Sequence, residues 1–122
     1  MSQYFDVGDE TLWNPATGVS QLFRRQVEVF EAELELASGI GPMENDECQI
    51  TLSVFEVFVN ALLTWHQRKS HPIIVALSEN FTGTALVLAQ RAGITLDWPP
   101  EGDPWAARLR RTAHELSLSM PR

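Results

Sequence analysis

The chain has 122 residues, of which 44% are hydrophobic and 20% charged, and its formal net charge is −7 at pH 7. That length suits one domain, taken here as residues 1–122, and it buries roughly two-thirds of the unfolded surface, enough for a hydrophobic core without staples. The composition excludes wholesale disorder, and the negative charge argues against a nucleic-acid partner, because Arg108, Arg110 and Arg111 are too few to offset it.

Gln3–Val7 is short and aromatic and stops at Gly8-Asp9, which predicts a strand with Thr11–Trp13 as its hairpin partner. From Ala16 to Ala37 the residues Val19, Leu22, Phe23, Val27, Phe30 and Leu34 recur at spacings of three and four, the mark of a helix with one apolar stripe. Val27-Glu28-Val29 and Leu34-Glu35-Leu36 alternate as a strand would, but the four-turn stripe decides for helix, and Ser38-Gly39 ends it. Residues 38–47 read as an irregular loop, with two glycines, a proline and the acids Glu44, Asp46 and Glu47. Cys48–Ile50 suits a brief strand.

Ser53 and Glu56 have the spacing of a capping box, with Leu52 placed to pack on Val57 as a hydrophobic staple. The second helix so begun buries Phe55, Phe58, Val59, Leu62 and Leu63 and runs out at Gln67-Arg68-Lys69. Pro72 opens a third helix with the stripe Ile74, Leu77, Phe81, Ala85, Leu88 and Ala92, stopped by Gly93. Ile73, Val75, Leu86 and Val87 fall off that stripe, so this helix is expected at the centre; a strand over Ile73–Leu77 with a shorter helix is the alternative. Ile94–Trp98 alternates like a strand before Pro99-Pro100, and Asp103 caps a last helix carrying Trp105, Leu109 and Leu116. The expected fold is α+β and mostly helical, about four helices packed with a small sheet of short strands.

Charge divides the chain. Residues 1–56 carry eleven acids and two bases, a net of −9, whereas residues 57–122 carry five acids and seven bases, a net of +2. Glu28, Glu31 and Glu35 lie three and four apart, on one helix face; such a face is either solvated or kept for a cationic partner. The four tryptophans, Trp13, Trp65, Trp98 and Trp105, suit core packing, and any left on the surface would mark an interface.

Catalytic patterns are sparse. Cys48 with His66, His71 or His114 is the one thiol–imidazole arrangement available, and Asp46 and Glu47 beside it disfavour thiolate. His66 and His71 are five apart across a proline and share no helix face, and residues 44–47 lack calcium-loop spacing, so no metal is expected. Gly39-Ile40-Gly41 has Glu44 where a phosphate cradle needs a third glycine, and no Gly-x-Ser-x-Gly elbow occurs, so no cofactor is expected. Ile73–Ala92, interrupted by Glu79, Asn80 and Arg91, falls short of the roughly 18 apolar residues of a membrane span, and Met1–Asp6 lacks the regions of a signal peptide. With a single cysteine fitting a reducing compartment, the expected location is the cytoplasm.

Tyr4–Pro15, Gly39–Cys48 and Phe55–Leu63 together resemble a family of small actinobacterial proteins of unknown function, over most of the chain up to Gly93. The resemblance implies no activity, cofactor or site residue. In size, charge and compactness the chain is also similar to toxin-neutralising immunity proteins, with no shared motif.

The leading expectation is a protein-binding module that occludes a basic protein partner, with Glu31, Glu35, Glu44, Asp46 and Glu47 as contacts. One alternative is a small enzyme or ligand-binding protein with a pocket near Cys48 and a histidine. Another is a homo-oligomer whose apolar third helix completes its core against a second copy.

Overall fold

The structure, a computed structural model, describes residues 1–122. Strands β1 (Tyr4–Val7) and β2 (Glu10–Trp13) form the expected antiparallel hairpin, and β3 (Glu47–Gln49) pairs parallel to β1 on its other side, giving the order β2-β1-β3. Around this small mixed sheet stand α1 (Thr17–Leu34), α2 (Leu52–Gln67), α3 (Pro72–Arg91) and α4 (Pro104–Ser117). Helices hold 56% of the residues, so the fold is the mostly helical α+β arrangement anticipated from sequence.

One cluster of 22 buried side chains fills the interior. Through it runs a chain of six aromatic rings that links the hairpin with α1, α2 and α3. Phe5 of β1 stacks on Trp13 of β2 at 5.4 Å, and both meet the edge of Phe23 on α1. Phe81 of α3 lies against Phe23 at 5.6 Å and stacks nearly parallel on Phe30 at 4.3 Å; Phe30 in turn meets Trp65 of α2 edge-on. Each such pair adds about 0.5–1.5 kcal/mol to the area that it buries.

α3 is a single continuous helix, so the strand alternative over Ile73–Leu77 is not realised. By length and composition it would also pass as a membrane span, with a mean hydropathy of 1.4 over 18 residues, 50% of them buried. The buried half explains that apolarity: Phe81, Ala85–Ala89 and the hydroxyls of Ser78 and Thr82, which donate back to the Ile74 and Ser78 carbonyls, lie inside. Gly83 faces α4, where a Cβ would stand 3.0 Å from Leu116 Cδ1 and 3.1 Å from Thr112 Cγ2, so its bare backbone lets the two helices close up. The guanidinium of Arg91 donates to the Leu12 carbonyl at 2.9 Å and the Ser117 carbonyl at 3.4 Å, tying α3 to the sheet and to the end of α4.

Several local expectations give way to tertiary contacts. The Ser53–Glu56 capping box does not form: α2 starts earlier, Thr51 occupies the N-cap without a side-chain bond, and Ser53 is already helical. The chain enters α2 under other constraints, since Thr51 N donates to the Gly39 carbonyl at 2.8 Å. Gly39, at φ +80°, sits so close that a Cβ would meet Thr51 O at 2.7 Å. Leu52 and Val57 are both exposed, so no staple closes. Ile94–Trp98 is not a strand. Its alternation reflects Ile94, Leu96 and Trp98 packing on the core, while Asn60 holds the backbone by accepting from Asp97 N and donating to the Thr95 carbonyl. α1 ends at Leu34 rather than Ala37, and its buried stripe is Ser20, Phe23, Val27 and Phe30; Val19 and Leu22 face solvent. The cap at Asp103 forms as anticipated, its carboxylate accepting from Ala106 N at 2.9 Å.

Phe81→Ala should cost about 3–5 kcal/mol, the range for removing a large buried ring, because it unsupports both Phe23 and Phe30. Val57→Ala, at an exposed site, should stay within about 0.5 kcal/mol. Denaturant unfolding followed by circular dichroism compares the two.

Candidate functional site

The segment 38–47, read as irregular from sequence, is an ordered brace. α1 closes with Glu35 in the left-handed region at φ 54°, and the carboxylate of Glu31 accepts from Ser38 N at 2.9 Å. Further on, Glu44 and Glu47 exchange both backbone hydrogen bonds, 2.9 and 3.0 Å, around Asn45 and Asp46 at φ 52° and 62°. Two consecutive positive φ values in a two-residue turn are the geometry of a tight hairpin, and Asn and Asp tolerate it best after glycine. Asp46 also latches the hairpin to β1: its carboxylate accepts from Gln3 Nε2 at 3.1 Å and its carbonyl from Tyr4 N at 2.8 Å. The Asn45-Asp46 pair between two residues able to bridge was a readable turn signal that composition alone concealed.

The five acidic residues singled out from sequence thus have unequal roles. Glu31 and Asp46 spend a carboxylate oxygen on the brace, whereas the exposed Glu35, Glu44 and Glu47 make no side-chain hydrogen bond. Gly41 and Pro42 form a shared ridge between two adjoining depressions. One is walled by Arg24, Glu28 and Glu31 of α1, the other by Glu44, Asn45 and Glu47 of the hairpin. The fold therefore brings the acidic face of α1 to the same side as the acidic hairpin. No ion pair forms there; the two in the chain are Arg108–Glu79 and Arg122–Glu10, both at 2.7 Å. Two depressions lined largely by carboxylates thus lie side by side, with Arg24 at the wall of one.

The whole chain, residues 1–122, matches a family of unknown function. The chain belongs to the DUF6086 family. No curated protein and no solved structure matches it.

In this DUF6086 chain the thiol–imidazole site weighed from sequence is not assembled. Cys48 is fully buried on β3 and its Sγ–H donates to the Gly41 carbonyl at 3.2 Å; it makes no hydrogen bond to a histidine. Burial pushes the thiol up to about 11, against a partly compensating Arg24, so at neutral pH it stays protonated and a poor nucleophile. His66 is buried between α2 and α4, where its Nδ1 accepts the indole N–H of Trp105 at 2.9 Å. Nε2 has no hydrogen-bond partner, although the Val75 carbonyl is near enough to favour its protonation. His71 caps α3 by accepting from Ile73 N at 3.2 Å, and His114 is exposed. No group of three or more His, Cys, Asp or Glu side chains is gathered to hold a metal ion.

The tryptophans pack rather than project: Trp13 is buried, and Trp65, Trp98 and Trp105 lie against the core. Two of them carry cations on their faces, Lys69 over Trp65 at 5.0 Å and Arg110 over Trp98 at 4.3 Å. With Arg108 held by Glu79, the small basic run of α4 is largely engaged within the fold.

Cys48 should resist iodoacetamide at pH 7.5 in the native protein and react fully in denaturant; mass spectrometry of the adduct reads this, and native labelling within minutes would contradict the buried thiol. His66 gives a second expectation. Burial, opposed by Glu79 and aided by Arg108, sets its folded pKa below the ordinary value. The neutral imidazole therefore contributes stability present above the unfolded pKa, about 6.5, and lost as the pH falls through the lowered folded value. Denaturation midpoints taken from pH 7.5 to 5 should fall more steeply for the native chain than for His66→Gln, which keeps an acceptor for Trp105 and has no proton to gain.

Proposed function

We propose that this protein is a binding module that occludes a basic protein partner, an inhibitor of the immunity type, working from the acidic surface that α1 and the 44–47 hairpin share. The observation that carries this reading is that Glu28 and, across the Gly41-Pro42 ridge, Glu44 and Glu47 line two adjoining depressions and form no ion pair within the chain, Arg24 being the one cation beside them. Unneutralised carboxylates on a braced surface raise the encounter rate with a cationic partner and need little ordering on binding. Further support comes from the buried, protonated Cys48, from His71 spent on a helix cap and from His66 packed against Trp105, which leave the thiol with no base beside it. We further propose an actinobacterial source, on the family resemblance of Tyr4–Pro15, Gly39–Cys48 and Phe55–Leu63, and a cytoplasmic location, on the single buried cysteine.

Affinity capture from the host at low and high salt supplies the partner: a basic protein retained in stoichiometric amount at 50 mM salt and lost at 500 mM is expected. Glu35→Lys, Glu44→Lys and Glu47→Lys combined should then slow its association at least about tenfold at low salt and flatten the salt dependence. Unaltered association kinetics in that triple variant would remove charge steering as the mechanism. Glu31 and Asp46 are left intact in this test, because replacing them would loosen the brace.

A further inference from the structure

α1 turns a second, very different flank outward. On it Val19, Leu22 and Val29 are exposed, and across an open groove α3 exposes Ile73, Ile74 and Leu77, these six side chains being 40–77% exposed. The floor is built by the aromatic rings: Phe30 lines the depression shared with Ile74 and Leu77, Phe23 lines a second one beside it that is closed by Thr84 of α3 and by Leu116 and Met120 at the end of α4, and both rings stack on Phe81. In a chain of net charge −7 this face is nearly free of charge. Its two depressions contain one acid, Glu33, and one base, Lys69, at the same end, and neither is in an ion pair.

We infer that the groove between α1 and α3 is a self-association surface that takes a second copy of this chain about a twofold axis. Three features favour a second copy over a foreign helix. The same patch carries both hole and knob, with Leu77 at 77% exposure standing beside the groove floored by Phe30, and an isologous interface needs both on one surface. A single helix laid in the groove would still leave Ile73, which lines neither depression, in water. The six aliphatic side chains expose on the order of 500 Å2, at the upper end for one monomer, and two such faces reach roughly the 1,000 Å2 that a specific interface requires.

Charge agrees with area. A twofold arrangement that sets Lys69 of each copy against Glu33 of the other neutralises the charges in the contact. It also leaves the acidic depression, on the opposite flank of α1, open to solvent. The dimer therefore does not rest on the occlusion reading, and either stands if the other fails.

Sedimentation velocity of the full chain from 1 to 100 µM in 150 mM salt tests it. The native chain should reach twice the chain mass and stop there. Leu22→Lys with Leu77→Lys, both at exposed positions that leave the core intact, should raise the dissociation constant at least 100-fold with unchanged circular dichroism and melting. Val57→Lys, an equally exposed aliphatic on α2, should stay dimeric. Glu33→Lys should weaken the dimer and Lys69→Glu added to it should restore it. A native chain that is monomeric at 100 µM overturns the inference. So does a dimer that survives Leu22→Lys with Leu77→Lys, or association that grows without limit.

Discussion

Phe81 between Phe23 and Phe30 is the contact on which the arrangement of this molecule turns. α1 approaches α3 through these rings, and α1 is also the helix that meets the sheet, through Phe23 against Phe5 and Trp13. The stacked rings hold the sheet, α1 and α3 in one register, and Trp65 extends that register to α2. Aromatic side chains suit the task because each buries roughly 150–250 Å2 while having few rotatable bonds to order.

Bridging by large rings leaves α1 standing off from α3, and this has consequences on both sides of the helix. Its buried stripe is narrow, so one flank can carry Glu28 and Glu31 while the other carries Val19, Leu22 and Val29. On the acidic flank the space is filled by the 38–47 brace, which needs Glu31 and Asp46 as internal acceptors and Gly39 for its approach to α2. On the apolar flank nothing fills it, and the groove results.

Electrostatics keeps the two flanks distinct. Most cations of the chain are engaged away from the acidic surface: Arg91 on carbonyls, Arg108 on Glu79, Arg122 on Glu10, Lys69 and Arg110 on tryptophan faces. The imbalance between the acidic first half and the rest is thus not repaired by folding, since the pairs that form are surface pairs of small energy elsewhere. An acidic surface of this kind repels its own copy, and self-association is compatible with it only through a face without net charge.

What the sequence by itself determined is whatever neighbouring residues settle among themselves. The helical periodicity around Phe23, Val27 and Phe30, the Gly8-Asp9 hairpin, the Asp103 cap, the proline-led start of α3 and the acidic face of α1 are all of that kind. Tertiary structure decided what depends on partners far along the chain. Thr51 displaced Ser53 at the start of α2 because Gly39 lay there to accept its N–H. Ile94–Trp98 alternated without becoming a strand because Asn60, and not a neighbouring strand, met its backbone. Cys48 and His66 lost their chemical promise to burial, and Val19 and Leu22 were left in water because Phe81 held α3 at ring distance. Periodicity says which residues share a face, but a face is buried only if another element arrives to cover it, and that arrival is encoded in contacts between residues distant in sequence.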